Sequence, residues 1–428
     1  MAALKNLSST FLVLCLAATG SRAAQDTAVP TAAGGTIELP ALVREALERN
    51  PEIQAARRSV DARRARIPQS KAWPDPTLTI SYGGDLVPPF ELMRGDPSSA
   101  RQFMVEQEIP YPGKTRLRGR IAASEADAEA TTIEAASRRV ATELKQAYFE
   151  LYITDQSLAT LAKDRELFAK VARVTEIRYA TGKGAQQDVI RAQVELTRLT
   201  ERQTLLEQTR HTLEAQLNSL RDLPVDTPLG ATAEVRPSAL VQSLEELRAA
   251  AESSFPAVKR QQTMVEGSRL AVDLARKEVR PNFSLGYTYM QRAALPDMYG
   301  ITFTTSLPVF RRSKQDQAVR EAALNLESAR RMVENELTTL RYRVKQEYLQ
   351  AQAADRLMQL YAQGVLPQSR LALESSLASY ETGATDFQAV LSNLTTILDY
   401  ELNYHEQLAN HEKALARMEE LTGLELIR

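Results

Sequence analysis

The chain has 428 residues, with 53 Lys and Arg against 54 Asp and Glu, so its formal net charge is −1. No basic tail or stripe stands out, which argues against nucleic acid as a partner. Aromatic residues make up only 6%, while Ala, Leu, Glu, Arg and Gln dominate; this points to long helices packed side by side.

The N-terminus reads as a secretory signal over residues 1–23. Lys5 supplies a positive start, Phe11 to Ala18 an apolar stretch, and Ser21-Arg22-Ala23 a small-residue cleavage site before Ala24. Cys15 is the only cysteine and lies inside that segment. Lipidation there would need a small residue in front of it, and Leu14 occupies that place. The mature chain is therefore expected to carry no lipid, no disulfide and no thiolate metal site. A short linker, 24–35, follows. No later apolar run is long enough for a transmembrane helix. Any passage through a membrane would have to be a β-barrel, the other structure that satisfies every backbone polar group in lipid.

The remainder reads as two tandem units, 36–230 and 231–428. Pro51 aligns with Pro256, Pro76 with Pro281, Pro110 with Pro308, and Tyr179-Ala180-Thr181-Gly182 with Tyr380-Glu381-Thr382-Gly383. These landmarks keep one order and nearly one spacing. Each unit predicts a helix from its first proline, which Asn50 caps in the first unit. A strand, a loop and a second strand follow, then a very long helix to the Tyr-x-Thr-Gly turn and a return helix. From Thr115 to Ala180 a helix would span about 100 Å, against about 50 Å for Gln186 to Leu220 and about 33 Å for Pro51 to Ala72. The lengths predict one long helix packed antiparallel against two shorter ones stacked end to end. The return helix has a coiled-coil seam: Ala192, Leu199, Leu206, Leu213 and Leu220 recur every seven residues, with Val189, Leu196 and Leu217 at the partner position and Gln203 and Arg210 interrupting it.

Four strands are expected, near 77–82, 101–109, 282–289 and 300–307. Leu78, Ile80 and Tyr82 alternate with Thr77, Thr79 and Ser81; Phe103, Val105 and Ile109 with Met104, Glu106 and Glu108, Gln107 interrupting the apolar face. In the second unit Phe283, Leu285, Tyr287 and Tyr289 alternate with Ser284, Gly286 and Thr288; Ile301, Phe303, Thr305 and Leu307 with Thr302, Thr304 and Ser306. One face is apolar and aromatic, the other small and polar, as in a strand with lipid outside and water inside; the strands of a soluble sandwich alternate in the same way, and it is the secretory signal with only four such strands among long helices that favours the barrel. Four strands cannot close a membrane barrel, so several chains must share one; three would supply twelve strands.

The signal segment, the tandem units, the strand pairs and the long helices, carried by "NPEIQAA", "PDPTLTISY", "QEIPYPGKTRLRGR" and the two turns, resemble the TolC family of outer-membrane efflux proteins. The resemblance covers essentially the whole mature chain. It implies a mainly α fold: helical hairpins forming a periplasmic α-barrel, with four strands per chain in a shared 12-stranded outer-membrane β-barrel. It implies a homotrimer in outer-membrane lipid that works with a periplasmic adaptor and an inner-membrane pump, of the RND class by the same likeness. The turns become periplasmic tips. Thr181, Gly182, Thr382, Gly383 and Asp386 are then adaptor-docking candidates, and Tyr380 with Asp188 stands where the family places a latch between hairpins. The family gate also uses an arginine and two aspartates in the second hairpin; Thr385, Ala389 and Ser392 occupy those positions, so that part is absent.

The stretch Ile109 to Arg118 is closest to the heavy-metal branch, of CusC and CzcC type, which implies metal-cation cargo. A duct for drugs or type I protein secretion is the alternative, and a soluble periplasmic coiled-coil scaffold is the rival of another class. No metal site is expected: His405 and His411 are six apart, His211 stands alone, and Met93, Met104, Met290 and Met298 near strand ends read as filler. Neither enzyme activity nor a cofactor is expected. Gly113-Lys114-Thr115 mimics the end of a phosphate-binding loop, but Glu108 stands where that loop needs glycine, and Pro110 and Pro112 remove amide donors.

Overall fold

The computed structural model describes residues 36–84, 92, 98–293 and 295–427. The expected signal, the linker and Met93 lie outside the described residues. Helices α1 (Leu39–Arg49) and α2 (Pro51–Lys71) lead to strands β1 (Thr77–Gly83) and β2 (Ala100–Ile109), then to α3 (Lys114–Ala180) and α4 (Gln186–Leu220). The same order follows with α5 (Leu244–Ser254), α6 (Pro256–Glu278), β3 (Phe283–Arg292), β4 (Met298–Thr305) and α7 (Gln315–Leu360). A π-helical turn at Tyr361–Val365 joins α7 to α8 (Leu366–Thr382), and α9 (Phe387–Thr422) returns.

Helices α2 and α4 meet end to end against α3. Asn50 makes the joint: its side-chain oxygen accepts from the Glu52 amide at 2.9 Å, starting α2, and its Nδ2 donates to the Leu220 carbonyl at 2.9 Å, ending α4. One residue thus satisfies orphan groups of two helix ends. The second unit repeats the joint between α6 and α9, where Ser254 Oγ donates to the Thr422 carbonyl at 2.6 Å. Arg138 of α3 reaches across, donating to the carbonyls of Glu420 and Ser254.

Three features depart from the sequence reading. The short helices α1 and α5 were not anticipated; each buries a Leu and an Ala one turn apart, Leu42 with Ala46 and Leu247 with Ala251. The second long helix is not continuous. Pro367 has no amide to donate and would crowd the carbonyl four residues back, and the backbone widens into the π turn just before it. The heptad interruptions in α4 are not gaps: Arg210 forms an ion pair with Asp155 of α3 at 2.8 Å, and Gln203 accepts from Arg165 at 3.4 Å. The apolar seam positions Ala192, Leu199, Leu213 and Leu217 are buried as the period requires.

The strands form one antiparallel sheet in the order β1-β2-β3-β4. Its register keeps like with like. Leu78, Val105, Tyr287 and Ile301 align in one row, and Ile80, Phe103, Tyr289 and Tyr299 in the next, all on one face. The other face carries Thr77, Glu106, Gly286 and Thr302 in one row, and Thr79, Met104, Thr288 and Gly300 in another. A one-residue slip anywhere would mix the two faces.

Candidate channel wall and tip

The sheet exposes what a soluble protein hides. Ile80 is 66% exposed, Ile301 79% and Phe303 65%, and they share one face with Leu78, Val105, Leu285 and Tyr287. An apolar face of this kind marks a surface that meets lipid or another protein. Among the described residues the outer edges of β1 and β4 have no partner strand, and open edges do not persist in lipid.

A polar clamp fixes the sheet to the helices. Lys114, only 2% exposed, donates from Nζ to the Arg280 carbonyl at 2.7 Å and to Asn282 Oδ1 at 2.8 Å, and pairs with Glu278 at 2.9 Å. Arg118 holds the other Glu278 oxygen at 2.8 Å, and Asn282 Nδ2 donates to Glu108 at 2.8 Å. Burial raises the Glu278 pKa, but hydrogen bonds and charge from Lys114 and Arg118 outweigh it and hold the carboxyl below its ordinary value. Gly113 takes φ +91° to bring the chain into this clamp. The lysine of the loop-like triplet thus ties the strands to α6 and is buried away from any nucleotide.

At the opposite end, both turns take the form their glycines allow. Gly182 has φ +71° and Gly383 φ +80°. Asp386 caps α9, its carboxylate accepting from the Ala389 amide at 2.9 Å. Thr181 and Thr382 each turn their hydroxyls back onto carbonyls of their own helix. All five candidate docking residues are at the tips, and all five are exposed there.

Tyr380 and Asp188 are not brought together. The Tyr380 hydroxyl hydrogen-bonds to the Thr175 hydroxyl at 3.2 Å, and the ring is buried. The Arg178 guanidinium lies 4.6 Å from the ring centroid and also donates to the Tyr380 carbonyl. Asp188, in the first turn of α4, makes no side-chain hydrogen bond or ion pair among the described residues. Sequence reading missed Thr175 and Arg178. Arg178 directly precedes the first turn, but only the approach of α8 to α3 reveals its role. A second cross-hairpin contact, Arg191 to Gln388 at 2.6 Å, lies close by. Tyr179, the matching tyrosine of the first turn, is 47% exposed.

Among the described residues no group of three or more His, Cys, Asp or Glu side chains is arranged to hold a metal ion. Both ring nitrogens of His411 face carbonyl oxygens, of Ala351 and Ser238. His211 meets Glu214, and burial holds the His405 pKa below its ordinary value.

The family model described as Outer membrane efflux protein matches residues 42–221. No curated protein gives a significant match. Among solved structures the chain is similar to VceC of Vibrio cholerae, at 17% identity and a TM-score of 0.76, covering 90% of this chain and 96% of that one. It is similar to CusC at 15% identity and a TM-score of 0.77, with 90% and 91% covered. It also resembles the open state of the Neisseria gonorrhoeae MtrE channel at 17% identity and a TM-score of 0.68, with 88% of each covered. Residues 42–221 match the model of the outer membrane efflux proteins, and about nine-tenths of the chain shares the fold of the solved channels.

Proposed function

We propose that the chain forms the outer-membrane exit duct of a tripartite efflux system, as a homotrimer whose helices extend into the periplasm. The observation that carries this is the two-faced, open-edged sheet clamped to helices of about 100 Å. A lone chain leaves complementary flanks open in every layer. β1, α2 and α4 stand at one side, and β4, α7 and α8 at the other. The α4 flank exposes Ile190, Val194 and Leu205; the α7–α8 flank exposes Tyr342, Leu349, Leu360 and Leu371. Different surfaces meeting head to tail close into a ring when the rotation fits, and three chains give twelve strands. Native mass spectrometry in detergent should report three chains; a stable monomer would defeat the barrel.

The cargo is read as heavy-metal cations delivered by an RND pump through a periplasmic adaptor. The resemblance of Ile109 to Arg118 to the heavy-metal branch supports this. Cells lacking the protein should become sensitive to metal salts; sensitivity confined to dyes and drugs would move the assignment to the drug-duct alternative.

The tips carry docking and closure as separable roles. Thr181, Gly182, Thr382, Gly383 and Asp386 form the docking turns. Gly383→Val forces a β-branched side chain into a left-handed conformation. The trimer should persist, about 100 Å from the damage, while export falls. Closure is assigned to Tyr380 with Thr175 and Arg178, with Asp188 as the rival partner. In planar bilayers Tyr380→Phe and Arg178→Ala should raise conductance. The hydroxyl hydrogen bond alone is worth about 0.5–1.5 kcal/mol. If Asp188→Ala opens the channel and Arg178→Ala does not, the latch runs through Asp188.

A further inference from the structure

We propose that Met104, Met290 and Met298 form a thioether site for a soft monovalent cation, Cu(I) or Ag(I), on the inner wall of the barrel. The inference rests on the channel reading, because it needs the polar face of the sheet to line the lumen. Among the described residues that face carries Thr, Ser, Gly, Glu, Gln, one Ala and one Arg, and these three methionines are the only apolar side chains on it larger than a methyl group. They are clustered. Met290 pairs directly with Met298 across β3 and β4, in the row shared with Ser81 and Gln102. Met104 occupies the neighbouring row on the adjacent strand, diagonal to Met290. The cluster sits at the end of the sheet farthest from the helices.

Methionine is ordinarily a gap-filler, and a filler needs a gap inside a packed core. None exists here: Met298 is 49% exposed and the other two are half-buried on an open face. Directly opposed Cβ atoms in a sheet are about 5 Å apart and diagonal ones about 7–8 Å. The flexible, unbranched methionine stem lets all three sulfurs converge from those anchor points. Gly300, beside Met298 on the same face, leaves lateral room. Two further acids share the face, Glu106 and Glu108, nearer the helices. They draw cations of any kind toward the lumen, whereas the thioethers discriminate. A neutral sulfur donor suits Cu(I) and Ag(I), while hard divalent ions prefer oxygen and nitrogen.

The test uses the purified full-length protein in detergent, with Ag(I) as the redox-stable probe. Peroxide oxidation of each methionine is followed by mass spectrometry with and without silver. Silver should slow oxidation of Met104, Met290 and Met298 severalfold, and Zn(II) should not. Met264 on α6 and Met332 on α7, 44% and 53% exposed, are single methionines and serve as internal controls whose rates stay unchanged. The double variant Met290→Leu/Met298→Leu keeps side-chain volume, so it should still trimerise and conduct like the parent, yet lose bound silver in native mass spectra. Equal protection of the controls, equal protection by zinc, or undiminished silver binding in the double variant would overturn the site. A parent that neither trimerises nor conducts would instead overturn the duct itself, which separates the two failures.

Discussion

The two long helices make an instructive pair. Both leave the sheet and both end at a Thr-Gly turn, yet α3 is buried at intervals along its whole length while α7 and α8 keep one flank bare. Composition does not explain this, since Leu324, Met332, Tyr342, Leu349, Leu360 and Leu371 are as apolar as the residues α3 buries. Position in the ring does. Helix α3 lies between its own return helix and the α6–α9 side of the second unit, so both flanks are served within the chain. Helices α7 and α8 have α6 and α9 on one side only. The same kind of element is core in one unit and exposed surface in the other, and in the proposed trimer that surface is where the next copy would pack.

The comparison breaks most visibly on the bare flank. Leu349→Asp combined with Leu360→Asp should leave a folded chain that no longer forms trimers, read by native mass spectrometry. Leu151→Ala on α3, where the side chain is fully buried, should instead lower Tm, at a cost of about 2–5 kcal/mol, while the trimer persists. If the paired aspartates lower Tm and spare assembly, the two flanks have been misassigned.

A smaller effect tests what it costs α3 to be interior. Asp164 is 7% exposed and one of its oxygens has no hydrogen-bond partner. Burial pushes its pKa up to about 6; Glu401 adds to the rise and Lys163 opposes it. A raised folded pKa means stability is fully present below the ordinary value of 3.8 and is lost as pH rises through about 6. Asp164→Asn should therefore flatten the pH dependence of Tm between those values and stabilise the protein at neutral pH, by about 1–3 kcal/mol. By the alignment of the two turns, the matching residue of the second long helix is Val365, in the π turn. An unchanged pH profile would mean the carboxylate finds water.

The smallest effect concerns the break itself. Pro367→Ala restores a backbone donor, so hydrogen exchange at Gln363 and Gly364 should slow, with little change in Tm. Unchanged exchange would assign the π turn to packing against α9, where Tyr361 meets Tyr400.

Much of the architecture was legible in the sequence because its signals are periodic. Prolines and glycines punctuate the chain, the strand faces alternate with period two, and α4 shows its heptad. Expected and observed helix ends agree within a residue at Ala180, Gln186 and Leu220. The short helices α1 and α5 escaped notice because two buried residues each make too weak a period. The break at Pro367 escaped because the repeat was read through it. The tip contacts were not legible at all. Arg178 and Thr175 meet Tyr380 across about two hundred residues, and nothing local in the sequence marks a cation that will find a ring on another hairpin. The methionine cluster was visible as residues but not as a group, because register, not spacing, brings Met290 to Met298.

The open edges of the four-stranded sheet also have a kinetic consequence for biogenesis. In the proposed duct a newly exported chain could not finish its own wall, so it would carry an apolar face and two unsatisfied strand edges through an aqueous compartment. Insertion is then tied to encounter: a chain can complete the wall only when others arrive. The rate of barrel formation should rise more steeply than linearly with chain concentration. Scarce chains would linger as aggregation-prone intermediates, leaving holding factors to protect them until enough copies have gathered.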